Sequence, residues 1–295
     1  MSIDLSLKTP DISVIVPHYE QPAALAGCLE SLRHQSLDRA RYEIIVIDNN
    51  SACDLSSLRG RYPDVVFLTE MKKGAAHARN AGMARARGDV FAFIDADCVA
   101  EKYWLEEGLR TLEHSDLVGG QVSVTIGDES GPTPVEAFER VFAFRQRMYI
   151  NRKHFSVTAN LFTTAKTAAA IGSFKDGVSE DLDWCRRAKT LGFRLAFNDK
   201  SIVGHPARRT WDELTMKWDR LITERWNGFE GRSIIRRIGW ACLAVATAFS
   251  AAPHLTAVLF SKRINGARNK IAAAGVLARL RLWRARRMLA MLQPE

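Results

Sequence analysis

Two pairs of carboxylates carry the clearest chemical signal in the chain. Asp95-Ala96-Asp97 follows directly on the apolar run Val90–Ile94. At the end of a strand, carboxylates on successive same-side positions can together hold a hard divalent cation and the ribose or diphosphate of a nucleotide, with the cation neutralising charge on a departing diphosphate. Glu180-Asp181 follows Ser179 and opens a helical segment that runs to Leu191. Acidic residues in a first turn complement the helix dipole, and a carboxylate held near an electrophilic carbon can equally take the proton from an attacking hydroxyl. On spacing alone both readings stand. Cys98, beside the aspartates, reads as a small packed side chain rather than a nucleophile.

The elements that position these groups alternate. The β-branched run Ile12–Pro17 predicts a strand, and 23–35 a helix with Leu25, Leu29 and Leu32 on one face. Tyr42–Ile47 reads as a buried strand ending at Asp48, and Ser56–Tyr62 as a short helix. Val65–Leu68 is a third strand; Gly74 leads into a helix from Ala75 to Arg87, and Glu101–Glu113 is again helical. Strands and helices alternating in this way predict a parallel sheet covered on both faces, with ligands bound beyond the carboxyl ends of the strands. Asp48 and Asp95 both fall at such ends. After Leu117–Val124 the alternation breaks. A stripe from Phe138 to Met148 at helical spacing follows a Gly/Pro-rich loop, and Trp211–Phe229 reads as a long amphipathic helix.

With 295 residues and 47% hydrophobic content, the chain is long enough for one large α/β domain and an appendage, and disordered or collagen-like classes are excluded. The net charge of +9 is carried by the tail: from Arg236 to the end there are eleven Lys and Arg and a single carboxylate, Glu295. Five cysteines without CxxC spacing argue against a disulfide framework or a zinc site. The opening MSIDLSLKTPD contains no apolar core, so the expectation is a protein on the cytoplasmic side.

The motifs in order are Val14–Tyr19, Ile47–Ser51, Gly74–Gly82 with Arg79-Asn80, Asp95-Ala96-Asp97, Ala159-Asn160 and Glu180–Arg186. Taken together over roughly residues 10–210, this series resembles a family 2 glycosyltransferase of the GT-A fold. The resemblance implies an inverting, metal-dependent transfer of a hexose from a nucleotide-diphosphate sugar, UDP being the first expectation. It implies a donor site at Pro17, Tyr19, Glu20, Asp48, Arg79, Asp95 and Ala96. Tyr19 would stack on the nucleobase, Asp48 would bond its edge, and Arg79 would support the nucleotide. Asp95 would contact ribose and metal, Asp97 would be the direct ligand to Mn²⁺ or Mg²⁺, and His205 would complete the metal site. Asp181 would be the catalytic base, with Glu180 as its orienting neighbour. Two departures stand out: Asp48-Asn49-Asn50-Ser51 carries one carboxylate where many relatives have two, and Glu20 stands where Asn is frequent.

The expected organisation is a Rossmann-like GT-A catalytic domain over 10–210 and a basic helical extension over 211–295. Between Arg237 and Lys262 lie twenty-four residues free of Lys, Arg, Asp and Glu, enough at about 1.5 Å per residue to cross a hydrocarbon core of about 30 Å. A single crossing would set the basic tail on the outer side, against the positive-inside tendency. The expectation is therefore a helix broken near Pro253 that lies in the cytoplasmic leaflet of the inner membrane, its arginines meeting anionic headgroups. A single span, or a hairpin docked on the catalytic domain, are the alternatives for 238–261. Membrane attachment suggests a saccharide acceptor that is itself polyprenyl-diphosphate-linked, in cell-surface polysaccharide assembly. A non-catalytic nucleotide-sugar-binding or scaffold subunit is the rival reading. An oxidoreductase would need GxGxxG after the first strand, where the chain has Pro17–Pro22. No nucleic-acid partner is expected, because the basic tail lacks interleaved aromatics or a known motif.

Overall fold

The computed structural model describes residues 9–127, 131–227 and 234–292. In chain order its main elements are β1 (Ile12–His18), α1 (Pro22–Arg33), β2 (Tyr42–Asp48), α2 (Ser56–Arg61), β3 (Val66–Thr69), α3 (Ala75–Arg85), β4 (Val90–Phe93), β5 (Val99–Ala100), α4 (Trp104–Leu112), β6 (Leu117–Thr125), α5 (Pro134–Phe142), α6 (Gln146–Met148), β7 (Leu161–Thr164), α7 (Ala165–Ile171), α8 (Glu180–Thr190), β8 (Leu195–Pro206), α9 (Trp211–Asn227), α10 (Ile234–Phe249), α11 (Ala251–Leu259) and α12 (Ala267–Ala290). The chain forms two compact units. The first reaches to Ser123 and takes in Arg145–Asp176 and Glu180–His205; the second takes in Val124–Phe144, Gly177–Ser179 and the chain from Pro206 on.

The first unit is built on one sheet in the order β3-β2-β1-β4-β7-β6-β8-β5. β1 to β4 are parallel, as the alternation predicts, with His18 opposite Asp48 in the β1–β2 register. The sheet as a whole is mixed, which corrects the expectation of a parallel one: β7 runs antiparallel to β4, β6 antiparallel to β7, and β5 antiparallel to β8. β7 leaves the turn at Asn160 running against both of its neighbours, after the chain has passed from β6 through α5 and α6.

β2 is buried along its whole length, as a strand covered on both faces must be. Ile15, Ile45, Ile47, Phe93, Phe174 and Trp184 share a core cluster beneath the carboxyl ends of the strands. Helix α3 lies close on this sheet because Gly82 has no side chain: a Cβ there would stand 2.5 Å from Ile15 Cγ2 and 2.8 Å from Ile47 Cδ1.

The helix expected through Phe138–Met148 is interrupted. α5 is set by Pro134 and a capping box between Thr133 and Glu136. It stops at Ala143, which is extended, and Phe144 has a positive φ of 49°. Gln146 is buried, and its amide donates to Gly120 O at 3.2 Å and Ser156 Oγ at 2.8 Å, so the segment after the break belongs to the sheet unit.

The second unit is helical, and α5 packs in it with α9, α11 and α12 through Phe138, Val141, Leu214, Val258, Leu277 and Leu280. Glu139 is buried among Arg208 and Lys217, at 3.1 and 3.3 Å. Burial alone would raise its pKa, but these two cations and the Arg208 N–H hold it below the ordinary carboxylate value. α12 runs from Ala267 to Ala290, and two of its arginines pack against α9. Arg279 lies 3.9 Å over the Trp211 ring and Arg284 3.7 Å over that of Trp218, so each guanidinium stacks on an indole of α9. The uncharged stretch folds as α10 and α11, broken at Ser250. Pro253 accounts for the break, since its ring cannot accommodate the carbonyl four residues earlier, at Phe249, where α10 ends. Taken as one run, Ile234–Leu259 is long and apolar enough to cross a membrane by length and composition.

Candidate functional site

The parallel strands deliver their last residues to one edge of the sheet. At the end of β2, the Asp48 carboxylate faces His18 of β1: His18 Nδ1 lies 3.0 Å from Asp48 Oδ1. Ser51 Oγ donates to the same oxygen at 2.5 Å. Asn49 holds the next loop in place. Its Oδ1 accepts from Gly74 N–H at 2.7 Å, and its amide donates to Lys72 O at 2.7 Å and Glu70 O at 3.2 Å. Gly74 has φ 127°, which a side chain would strain.

Pro17 lies within β1, and Tyr19 stands just beyond it with 47% of its surface exposed. Lys73 Nζ sits 5.3 Å from the Tyr19 ring centroid and 3.3 Å from its hydroxyl. Glu20, also at positive φ, accepts the Ala52 N–H at 2.6 Å, so its carboxylate pins the Asn50–Ala52 loop.

Arg79 is the hub of the site. Its side chain is 5% exposed, and it donates through Nη2 to Asp95 Oδ1 at 2.8 Å and through Nη1 to Glu180 Oε1 at 2.9 Å. Two residues sixteen and one hundred and one positions away are thereby tied to one guanidinium. Burial disfavours its charge, but Asp95 and Glu180 outweigh that and raise its pKa.

Behind Arg79, Asn80 makes a reciprocal pair with the backbone of Phe174. Its amide donates to Phe174 O at 2.9 Å, and its oxygen accepts Phe174 N–H at 2.8 Å. Phe174 stacks on Trp184 of α8 at 4.9 Å, and Trp184 Nε1 donates to Gly172 O at 2.8 Å. The start of α8, with Glu180 and Asp181, is thus fixed relative to α3. Asp181 has its pKa raised to about 6, by burial first and by Glu180 second, with Arg79 pulling the other way. A carboxylate so tuned is suited to accepting a proton near neutrality.

Ala96 is buried between the two aspartates. Asp97 lies close to His205 at the end of β8, with His205 Nε2 3.5 Å from Asp97 Oδ2. Asp97, Cys98 and His205 each offer one ligand atom, all within 4.8 Å of one another. Carboxylate oxygen and imidazole nitrogen fit a hard or borderline divalent ion. Burial and the two aspartates push the Cys98 thiol well above its ordinary value, as they do that of Cys28, so neither is a ready nucleophile. Asp95 stands outside this cluster, committed to Arg79 through Oδ1.

Asn160, one of the motif residues, is structural. It is buried, accepts from Trp104 Nε1 at 2.9 Å and donates to Gln121 O at 3.0 Å and Ser201 O at 2.9 Å. Residues that sequence reasoning gave no role are His18, Ser51, Asn49 and Asn80. All four lie inside the motifs, one to three positions from a singled-out residue, which is the only signal they offered.

The sequence profile of glycosyl transferase family 2 matches residues 13–174. Among curated proteins the chain is 29% identical over 221 residues to the glycosyltransferase AglE of Haloferax volcanii, covering 72% of each chain. It is 27% identical over 215 residues to the pre-mycofactocin glycosyltransferase of Mycobacterium tuberculosis, covering 68% of this chain and 44% of that protein, so it spans less than half of this longer relative. Among solved structures, the mannosyltransferase PcManGT from Pyrobaculum calidifontis, in complex with GDP-Man and Mn²⁺, superposes with a TM-score of 0.59. That likeness covers 95% of this chain and 85% of that one at 17% identity, and it establishes a common GT-A-like fold.

Proposed function

Because the chain belongs to glycosyl transferase family 2, we propose that it moves a hexose, with inversion, from a nucleoside-diphosphate sugar to a saccharide hydroxyl, using the strand-end site as its donor pocket. The observation that carries this reading is the Asp95–Arg79–Glu180 chain, which joins the donor edge of the sheet to the helix bearing Asp181. In this reading Tyr19 offers an exposed ring to the base, Asp48 an acceptor to its edge, and Asp95 a carboxylate to the ribose. Asp181 takes the proton of the acceptor hydroxyl as that oxygen attacks the anomeric carbon. One displacement with one base turns the stereocentre over, so no covalent intermediate is needed. Glu180, fixed by Arg79, orients and electrostatically tunes that base. Asp97 and His205 would hold a Mn²⁺ or Mg²⁺ ion, which when bound supplies charge neutralisation for the diphosphate leaving group.

The test is calorimetric binding of nucleoside diphosphates with and without Mn²⁺ or Mg²⁺. Metal-dependent binding lost in Asp97→Ala, and turnover lost in Asp181→Asn with binding retained, are the expected results. Binding unaffected by Asp97→Ala would remove the donor-site reading.

We also propose that α10 and α11 lie in the cytoplasmic leaflet and that the acceptor is lipid-linked, a polyprenyl-diphosphate saccharide of surface-polysaccharide assembly. Supporting this, Trp240, Ala244 and Val258 pack inward while Ile235, Ile238, Val245, Phe249 and Phe260 are exposed, Phe249 by 76% and Phe260 by 82%. Along the chain, Arg236 and Arg237 precede the uncharged run and Lys262, Arg263 and Arg268 follow it, the pattern of an in-plane anchor for an anionic surface.

A further inference from the structure

Resting on the donor-site reading above, we propose that His18 and Ser51 make this site selective for a pyrimidine imide, uracil or thymine, over guanine. The selectivity comes from the lone pairs left on Asp48. His18 is buried, and its Nε2 accepts the backbone N–H of Gln21 at 3.1 Å. A nitrogen that accepts carries no proton, so the ring is the neutral Nδ1–H tautomer, and Nδ1–H donates to Asp48 Oδ1 at 3.0 Å.

Ser51 Oγ is oriented in the same way. It accepts the Glu20 N–H at 3.0 Å and therefore directs its own hydroxyl proton to Asp48 Oδ1 at 2.5 Å. A carboxylate oxygen has two lone-pair directions, and both on Oδ1 are taken. Oδ2 receives only the Ser51 N–H, at a long 3.4 Å. One strong acceptor direction remains at the end of β2, on a side chain 12% exposed.

Uracil and thymine present a single N–H between two carbonyls, and one acceptor satisfies it. Guanine presents N1–H and an adjacent amino group, which pair with a carboxylate through both of its oxygens. Here the second donor meets a saturated Oδ1 and is left unsatisfied. An unmet buried donor weakens binding by about tenfold or more.

The experiment is calorimetric titration of the full chain with UDP, dTDP and GDP in the presence of Mn²⁺, for the natural protein, Ser51→Ala and Asp48→Ala. The expected result is that UDP or dTDP binds at least tenfold more tightly than GDP, and that Ser51→Ala, by freeing one lone pair of Oδ1, narrows this ratio severalfold. Comparison of UDP with dTDP separates the two imides. The proposal is overturned if GDP binds the natural protein as tightly as UDP while Asp48→Ala still weakens both. It is also overturned if Ser51→Ala, folded by circular dichroism, leaves the ratio unchanged. Nucleotide binding indifferent to Asp48→Ala overturns instead the donor-site reading on which it rests.

Discussion

Asp181 makes the pH behaviour of the site specific. Where Asp181 acts as the base proposed above, its pKa, raised to about 6, gives a kcat/KM that climbs as pH rises through about 6 and levels above it. The sign for stability is the opposite. The folded state holds this proton more tightly than the unfolded chain, so the contribution of Asp181 is most favourable below about pH 4 and declines as pH rises to about 6. Asp181→Asn should therefore be inactive yet more stable at pH 8, by about 2 kcal/mol in urea denaturation. Arg79→Met removes a cation that lowers the Asp181 pKa, so the acidic limb should move to higher pH while kcat/KM falls on the order of a hundredfold; an unmoved limb would dissociate Arg79 from the base. At this scale the sequence exposes Asp95, Asp97 and Asp181, because strand ends and helix starts are legible in the apolar pattern. It hides His18 and Asn80, whose partners Asp48 and Phe174 lie 30 and 94 positions away, and no local spacing encodes a contact of that range.

The elements were legible where one periodicity ran without interruption. β1 through α3 follow from apolar runs and their glycine and proline boundaries, and their parallel pairing follows from the alternation. The reversal at β7 and the break after α5 did not, since both depend on buried polar groups: Asn160 bonding to Gln121 and Ser201, and Gln146 to Gly120. Gly120 makes this concrete. A Cβ there would lie 2.3 Å from both Asn160 Nδ2 and the Ser201 carbonyl oxygen, the latter backbone that cannot step aside. Gly120→Ala should cost about 2–3 kcal/mol of stability in a denaturant titration, more than Gly127→Ala, where a Cβ meets nothing within 4 Å.

The whole molecule divides its labour by composition. The first unit carries the acidic site, and the tail carries the positive excess of the chain, a split visible in the sequence before any coordinate. The further membership of Val124–Phe144 in the second unit was not visible, because it rests on the packing of α5 against α12. If α10 and α11 anchor the chain, it should pellet with vesicles containing about 30% anionic lipid at low salt, and a Phe249→Asp, Phe260→Asp double variant should lose most of that partition without losing nucleotide binding. Equal sedimentation of the variant would end the anchoring proposal.

The stacked arginines have a spectroscopic consequence. Of the seven tryptophans, Trp104 and Trp184 belong to the first unit and Trp211, Trp218, Trp226, Trp240 and Trp283 to the second. Intrinsic emission is therefore mainly a signal from the helical unit, and two of its fluorophores lie beneath guanidinium groups that leave only when α12 comes away from α9. Excited at the indole band, the helical unit reports the detachment of one helix from another, while Trp184 is the indole that shares α8 with Glu180 and Asp181.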